Sequence, residues 1–290
     1  DACLLQLSRY ALPGQSHESE VAEANVAGTA IVGALTPKNT LCFKALLNFC
    51  YCFGALLGNV GWTIALRAFN GLERVMQKAP PTQGSDLSVL RTALDAVFET
   101  TAQLPERALK EMVDAMGQLL KNISNADEGS AVMARLAELC SFNLTRLLCV
   151  WGAVLQIVLD VCAAEPRGEL RGAAAAALCR VLAQALRKGA LATDGNAENA
   201  QEELLQPLEK LLRVPHEDTR ARVCEGLLAI LQASGQELHP AAWCTTIRLV
   251  AAAARLELER AGLDFFLPRA LDAFSPTAAA ASASPAKCSS

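Results

Sequence analysis

The residues best suited to acid–base or metal chemistry are few in this chain and lie far apart. The three histidines, His17, His216 and His239, fall in predicted loops or helix starts, and none has a second histidine or a cysteine at metal-ligand spacing. Cys50 and Cys52 are too close together for the usual Cys-x-x-Cys pair, and on a helix their sulfurs point about 200° apart. We therefore expect core thiols, no metal site and no bound cofactor.

Motifs of the common enzyme classes are absent from the sequence. It contains no G-x-S-x-G nucleophile elbow, no phosphate-binding P-loop and no dinucleotide fingerprint after a strand. Glu202 with Glu203, and Glu257 with Glu259, fall on polar faces of predicted helices, where their carboxylates are expected to be solvated. The sequence therefore predicts a protein that is not an enzyme and has no small-molecule substrate.

One predicted helix, residues 167–188, carries a set of basic residues that has two interpretations. The spacings of 4, 9, 7 and 1 residues indicate that several of them lie near one face. Such a face could contact an acidic partner or a phosphoinositide, or it could simply be a solvated helix face. The residues of this basic set are Arg167, Arg171, Arg180, Arg187 and Lys188.

The three tryptophans also allow a binding or a packing role. Trp62, Trp151 and Trp243 each lie near a helix start or inside an apolar run. Tryptophan is frequent at binding hot spots, but three residues spread over separate helices favour packing between helices.

The most distinctive helix signal is TPKNTLCFKALLNFCYCFGALLG, Thr36 to Gly58. Thr36 suits an N-cap, Pro37 suits the first helical position and Gly58 suits the end of the helix. Phe49 and Phe53 belong to an apolar set at helical spacing, which predicts that they lie on the most buried stripe. Because few polar residues occupy the other face, the helix is expected to have neighbours on more than one side.

Further helical segments follow. Asp86 is expected to cap a helix that reaches about residue 102, Gly129 marks a break before a short helix over 130–141, and Asn143 is expected to cap a helix over 144–163.

The helical segments form pairs with short links, at an interval of roughly 40 to 50 residues, the period of HEAT and armadillo arrays. We therefore predict an all-α, HEAT- or armadillo-like solenoid of about five helix pairs. The best single unit is 199–233, in which Pro207 kinks the first helix. Asp218, Arg220 and Arg222 could pair with a neighbouring unit, or Asp218 could act on its helix dipole alone.

The prediction divides the chain into three parts. Residues 1–35 form an N-terminal helical segment, interpreted as a truncated repeat, with a helix at 21–35. Residues 36–274 form the solenoid, whose short last helix runs over 265–274. Residues 275–290 are dominated by Ala, Ser, Thr and Pro and are expected to be disordered.

Charge and composition exclude several partners. The net charge is -4, with 26 basic and 30 acidic residues, and no basic run points to nucleic acid or to direct binding of an anionic membrane. The 11 cysteines are an odd number in a helix-rich chain, which favours a reducing compartment and thiols throughout. Seven of them lie inside apolar helical runs, where cysteine behaves as a small hydrophobic residue: Cys42, Cys140, Cys149, Cys162, Cys179, Cys224 and Cys244. No signal peptide or bilayer-spanning run is visible. Because the first residue is Asp1, the chain is expected to be a fragment or a processed product.

Two stretches carry a family resemblance. The segment from Thr36 to Gly58 resembles part of the monensin-sensitivity family of large Golgi scaffolds, which are relatives of the BIG-type ARF exchange factors. PLEKLLRVPHEDTRARVCEGLLAILQASGQEL, residues 207–238, is similar to a second stretch of that family in matching order, and residues 145–162 match more loosely. Because family members are much longer, the resemblance implies that the chain is a segment.

The resemblance also implies a function. It suggests a non-catalytic scaffold in the cytoplasm, peripheral on trans-Golgi network and endosome membranes, that supports endosome-to-Golgi transport with Dopey-type protein partners and a lipid flippase. Two alternatives remain open: the helical regulatory region of a true ARF exchange factor, and an unrelated helical enzyme domain. The second would need a buried cluster of histidines or carboxylates facing a cleft.

Overall fold

The computed structural model describes residues 2–12, 35–78, 84–187 and 197–261. All regular elements in these ranges are helical. The α-helices are α1 (Ala2–Ala11), α2 (Pro37–Phe53), α3 (Gly58–Lys78), α4 (Gly84–Glu99), α5 (Glu106–Lys121), α6 (Ala126–Phe142), α7 (Leu148–Ala164), α8 (Gly168–Ala185), α9 (Ala197–Leu205), α10 (Leu208–Leu212), α11 (Glu217–Ser234) and α12 (Pro240–Arg260).

Successive helices alternate between two layers. The first layer contains α1, α3, α5, α7, the kinked helix α9–α10, and α12, and each packs against the next. The second layer contains α2, α4, α6, α8 and α11, again packed in that order. One continuous hydrophobic core runs between the layers from Leu4 to Leu249, because no helix pair can bury its apolar faces alone. The all-α helical-repeat solenoid is therefore confirmed, while the number of repeats stays a prediction.

The start of α2 follows the sequence signals closely. Thr36 and Asn39 form a reciprocal capping box, in which the Asn39 N–H donates to Thr36 Oγ1 at 3.2 Å and the Thr36 N–H donates to Asn39 Oδ1 at 3.0 Å. Asn39 Nδ2 also donates to the carbonyl of Tyr10 at 2.9 Å. This cap therefore fixes the beginning of α2 and attaches it to α1.

The prediction of the buried stripe of α2 was wrong. Phe43, Leu46 and Cys50 are at most 2% exposed, whereas Phe49 is 36% and Phe53 49% exposed. Both sets recur at helical spacing, so the period alone cannot choose between them. The neighbours decide, because α2 packs against α1 and α4 and turns the set that contains Phe43 toward the core. The rings of Phe49 and Phe53 pack on each other with centroids 5.1 Å apart.

Two turns contain the residues that the sequence assigned to them. Gly58 has a φ of 62°, a left-handed conformation that glycine adopts without strain, and it connects the end of the α2 region to α3. Pro207 lies between α9 and α10, where its missing N–H and its ring interrupt the helix. The predicted kink at Pro207 is therefore confirmed.

Two predicted helix starts need correction. The α6 helix starts at Ala126 rather than near residue 130, because Asn125 Oδ1 accepts from the Asp127 N–H at 2.9 Å and caps the earlier turn. The small residue Gly129, which had suggested a break, lies inside the helix. The helix α4 likewise starts at Gly84, ahead of its predicted cap Asp86.

Asn143 was predicted to cap the following helix, and this is also wrong. Its side chain is buried and donates to Thr101 Oγ1 at 2.8 Å and to the Leu139 carbonyl at 2.7 Å. The helix α7 begins only at Leu148, after a short 3-10 turn. Asn143 therefore connects the end of α6 to the turn after α4 instead of starting α7.

The tryptophans confirm the packing interpretation in two of three cases. Trp62 is 1% and Trp151 2% exposed, but Trp243 is 39% exposed. The predicted helix at 265–274, the tail 275–290 and nearly all of the predicted helix at 21–35 lie outside the described residues. In the described part of the chain, no helix combines the length and apolarity needed to cross a membrane.

Candidate partner-binding surface

The structure divides the predicted basic set. Arg171 lies in the first turn of α8 with its side chain only 11% exposed, and Nη2 donates to Asp218 Oδ2 of α11 at 2.7 Å. Its Nη1 donates to the carbonyls of Glu165 at 2.8 Å and Pro166 at 2.9 Å. All of these partners lie within the chain, so Arg171 is a structural tie between α8 and α11 rather than an open contact.

Arg167 is also held by its own chain. Its Nε donates to Glu165 Oε1 at 2.5 Å and its Nη2 donates to the Ile123 carbonyl at 3.2 Å. The hydrogen bond from Arg167 lowers the pKa of the Glu165 carboxyl. The remaining Nη1 is enclosed without a hydrogen-bond acceptor in the described structure, which leaves one donor of Arg167 unsatisfied.

Arg180 lies on a different side of α8 from Arg171, and Arg187 follows the end of α8; both are exposed. Arg180 follows Arg171 by nine residues, or about two and a half turns at 100° per residue, so the two side chains lie on opposite faces of the helix. The four described residues of the basic set therefore do not form one continuous stripe. A contact role for Arg180 and Arg187 stays a prediction, and Lys188 lies outside the described residues.

A second arginine repeats the geometry of Arg171. Arg220 in the first turn of α11 donates from Nη1 to the carbonyls of Val214 at 3.1 Å and Pro215 at 2.8 Å, and from Nε to Glu257 of α12 at 2.6 Å. We call Arg171 and Arg220 the arginine clamps, because each binds the carbonyls five and six residues before it and a carboxylate of a later helix.

These contacts decide between the two interpretations that the sequence left open for the start of α11. Asp218 and Arg220 each bind a neighbouring unit, as predicted, whereas Arg222 pairs with Glu225 inside α11. Glu257 was expected to be merely solvated, but it accepts hydrogen bonds from Arg220 and Arg260.

Sequence reasoning missed a third tie, centred on Arg135 of α6. Its side chain is 15% exposed and lies 2.5 Å from Glu73 of α3, 2.7 Å from Asp95 of α4 and 2.7 Å from Glu138. Burial raises the pKa of Glu73, and the charge of Arg135 acts against that rise. These residues are far apart in sequence, so no local signal could have joined them.

A groove lies between α5 and α7 in the described structure. It has a volume of about 1090 Å³. At its floor the two helices approach closely, since a Cβ added to Gly117 would lie 2.9 Å from Cγ1 of Ile157. Ala153 and Val161 add apolar surface to the wall on the α7 side.

Polar side chains line the rim of this α5–α7 groove. Asp114, Gln118 and Lys121 recur at four- and three-residue spacing along α5, and Gln156 and Asp160 face them from α7. Lys121 lies 3.9 Å from Asp160, and Gln156 Nε2 donates to Asp160 at 2.6 Å. An apolar floor with a polar rim suits a peptide segment or helix of another protein.

The groove has one signal in the sequence, although it is weak. Gly117 is the one glycine among the buried positions of α5, and so small a residue at such a position allows a second helix to approach closely. Only the fold shows that α7 is that helix. The enclosed Nη1 of Arg167 and its partner Glu165 lie at the end of the groove formed by the loops after α5 and α7.

Chemistry by cysteines or metals finds little support in the described part of the chain. The ten described cysteines are thiols, and burial raises the pKa of Cys50, Cys140 and Cys162 to about 12, so these are poor nucleophiles. Cys224 and Cys244 were placed in apolar runs but are exposed. No group of three or more metal-ligating side chains is arranged to hold an ion among the described residues.

Comparison with known proteins gives a consistent set of relatives. The chain is 26% identical to the human Protein MON2 homolog over 254 residues, which covers 78% of this chain and 15% of the relative. It is 27% identical to the Drosophila melanogaster Protein MON2 homolog over 245 residues, with 75% and 14% covered. The Caenorhabditis elegans Monensin-resistant homolog 2 is 26% identical over 230 residues, with 72% and 13% covered. No family model matches the chain.

These alignments agree with the resemblance carried by the stretches at 36–58 and 207–238. In the structure, these stretches form α2 with its following turn, and α10 to α11 with the second arginine clamp. The chain spans about 15% of the length of the human relative. The chain is therefore similar to the MON2 proteins of the monensin-sensitivity family, as the resemblance predicted, and it matches a segment of their length.

Proposed function

We propose that this chain is a non-catalytic scaffold segment that binds a partner protein through the α5–α7 groove. The observation that carries the proposal is the groove itself, about 1090 Å³ in volume, with an apolar floor and a polar rim. Its walls are two helices of a packed array, so the surface exists before a partner binds, which reduces the cost of ordering it.

We further propose that the segment acts at trans-Golgi network and endosome membranes in endosome-to-Golgi transport. The family relationship and the resemblance at the two matching stretches support this location. A Dopey-type protein is the partner that the resemblance suggests. Membrane attachment is indirect in this proposal, because the structure ties Arg167 and Arg171 internally and leaves only Arg180 and Arg187 of the described basic set exposed.

The binding part of the proposal is tested by capture of partners from a cell extract. The purified chain is compared with a Gln118→Arg/Gln156→Arg variant, which places two cations on the rim of the groove at partly or fully exposed positions. We expect the wild-type chain to retain a Dopey-type protein and the variant to lose it. A Gln232→Arg/Gln236→Arg variant on exposed positions at the end of α11 and just after it serves as the matched control and should bind like the wild type.

The non-catalytic part is tested by nucleotide release from ARF. The purified chain should leave the rate of release unchanged, because the proposal assigns it binding alone. Accelerated release would contradict the proposal and favour a role within an exchange factor. Flotation on anionic liposomes completes the test, since strong salt-sensitive flotation lost in an Arg180→Ala/Arg187→Ala variant would replace indirect attachment by direct membrane binding.

A further inference from the structure

The last described helix, α12, has a second apolar face that is partly exposed in the described structure, where the ring of Trp243 lies beside Gly235, just after α11. Ala242, Thr245 and Leu249 are buried, on the side where α12 packs against α9, α10 and α11. A second face is apolar but exposed, and it is made by Trp243 (39%), Ile247 (47%) and Val250 (47%), followed by the exposed Ala254. We call Trp243, Ile247, Val250 and Ala254 the α12 stripe.

The α12 stripe is a true helix face rather than scattered exposure. Its members follow one another at intervals of four, three and four residues, which places them above one another on one side of the helix. Polar residues such as Arg248 and Glu259 occupy yet another side. A helix of this kind has one apolar side for the neighbours it already has and one for a further neighbour.

The architecture of the array indicates where that neighbour belongs. An inner helix such as α5 packs against α3 and α7 in its own layer and against α6 in the other. The helix α12 has α9–α10 in its own layer and α11 in the other. The α12 stripe therefore marks the position at which a following element of the chain would continue the alternation.

The chain supplies a suitable segment directly after α12. Residues 263–274, LDFFLPRALDAF, contain three of the nine phenylalanines of the protein, and the 16 residues that follow them are dominated by Ala, Ser, Thr and Pro. A cluster of large apolar side chains rarely remains uncovered in solution. The segment 263–274 and the α12 stripe thus each have apolar surface to bury.

Length and tether fit this pairing. From Ala254 back to Trp243 the α12 stripe extends over about 16 Å at the helical rise of 1.5 Å per residue. The ten residues 265–274 span about 15 Å even if wholly helical, and the three residues before them can bridge about 10 Å. That bridge matches the distance of about 10 Å from residue 261 back to Ala254 along the axis.

We propose that residues 263–274 fold back onto the α12 stripe and cover Trp243, Ile247 and Val250. A second copy of the chain could also cover this face, but the tether holds 263–274 beside it at a high effective concentration. The inference concerns an intramolecular docking surface and does not depend on what binds the α5–α7 groove.

Trp243 provides a direct readout, because Trp62 and Trp151 are only 1% and 2% exposed. Acrylamide quenching of the full chain is compared between the wild type and a Trp243→Phe variant, and the difference reports Trp243 alone. We expect Trp243 to be nearly as protected as the two buried tryptophans. A Phe265→Asp/Phe266→Asp variant of the full chain should increase the quenching of Trp243 severalfold and shift its emission to the red.

The matched control is Phe53→Asp, which changes an exposed phenylalanine (49% exposed) of α2 and should leave Trp243 protected. A Trp243 that is freely quenched in the monomeric wild type would overturn the proposal, and this comparison needs no substitution in 263–274. Protection that appears only as a dimer forms with rising concentration would also overturn it, in favour of a second copy. Protection unchanged in a folded Phe265→Asp/Phe266→Asp variant would overturn it as well.

Discussion

Two helix–helix contacts in this molecule are each made at a glycine, but they differ in how the two helices are held together. In the second layer, α8 and α11 meet at Gly226, where an added Cβ would overlap Sγ of Cys179 and lie 2.5 Å from its Cβ. In the first layer, α5 and α7 meet at Gly117 against Ile157. A glycine brings both pairs of helices close together, but only the α8–α11 contact has an arginine clamp at its end.

The difference shows how one repeated architecture produces both a rigid joint and a binding surface. The clamp formed by Arg171 and Asp218 draws the start of α11 against α8, and a direct hydrogen bond of 2.7 Å joins the two. Across α5 and α7 the corresponding link is Lys121 with Asp160, at 3.9 Å and largely exposed. A weak exposed pair contributes little to stability, so the helices separate above their contact and leave the groove.

The largest expected effect on stability is at the α8–α11 contact. Gly226→Ala should destabilise the chain by about 2–3 kcal/mol, since the added Cβ meets a short side chain attached directly to the α8 backbone and the core must shift. Replacing Cys179 by Gly in the same chain removes the obstructing atoms and should recover most of this loss. Urea denaturation of the single and double variants measures both, and a Gly226→Ala variant as stable as the wild type would show that α8 and α11 are not in close contact.

The clamps themselves are expected to contribute somewhat less. Arg220→Met should cost about 2 kcal/mol, because the carbonyls of Val214 and Pro215 lose their donor in a buried setting. Arg171→Met should have a similar effect. Arg222→Met is the matched control, because its side chain is 58% exposed, and it should stay within about 0.5 kcal/mol of the wild type. Equal effects of Arg220→Met and Arg222→Met would contradict a clamp.

The α5–α7 contact should tolerate the replacement of its glycine by alanine better than the α8–α11 contact does. Gly117→Ala should cost only about 1 kcal/mol, because the side chain it meets is the flexible end of Ile157. It should also widen the spacing of α5 and α7 and weaken partner binding more than it weakens the fold. A loss as large as that of Gly226→Ala, measured under the same denaturation conditions, would erase the distinction between the two contacts.

The smallest effect concerns the pH dependence of stability, and it has the same sign for both clamps. Hydrogen bonds from Arg171 and Arg220 lower the pKa of Asp218 and Glu257, respectively. A carboxyl whose folded pKa is lowered adds stability above its ordinary value, here 3.8 and 4.5, and that stability is lost as the pH falls through the lowered pKa.

Denaturation across pH measures this contribution. Asp218→Asn and Glu257→Gln should be less stable than the wild type near neutral pH and should approach it in strong acid, where the wild-type carboxyls are protonated. Glu225→Gln, whose carboxylate pairs with Arg222 inside α11, is the matched control and should show a smaller difference. A gap between Asp218→Asn and the wild type that persists unchanged in acid would show that the clamp does not depend on the charge of Asp218.

Features set by neighbouring residues in the chain could be predicted from the sequence. Thr36 and Pro37 start α2, Pro207 kinks the helix that contains α9 and α10, and Asp218 lies in the first turn of α11. In each case the physical cause, a cap, a missing N–H or a charged first turn, is contained within a few residues.

Features that depend on which helices become neighbours could not be predicted. Phe43 and Phe49 both fit a helical period, and only the positions of α1 and α4 decide that Phe43 is the buried one. Arg135 donates a hydrogen bond to Glu73, which lies 62 residues away in the sequence. The α5–α7 groove likewise requires that α5 and α7 become neighbours, with Gly117 of one helix against Ile157 of the other. The candidate surface therefore came from the fold, whereas the fold class came from the sequence.

Site-specific photo-crosslinking tests whether the α5–α7 groove is the binding surface. A photoreactive amino acid is placed at Gln118 on the rim of the groove or at the exposed Gln232 of α11, and the full chain is irradiated in an extract that contains Golgi and endosome membranes. We expect a Dopey-type protein to be cross-linked from position 118 and not from position 232. Cross-linking of that protein from position 232 alone, with none from position 118, would contradict it.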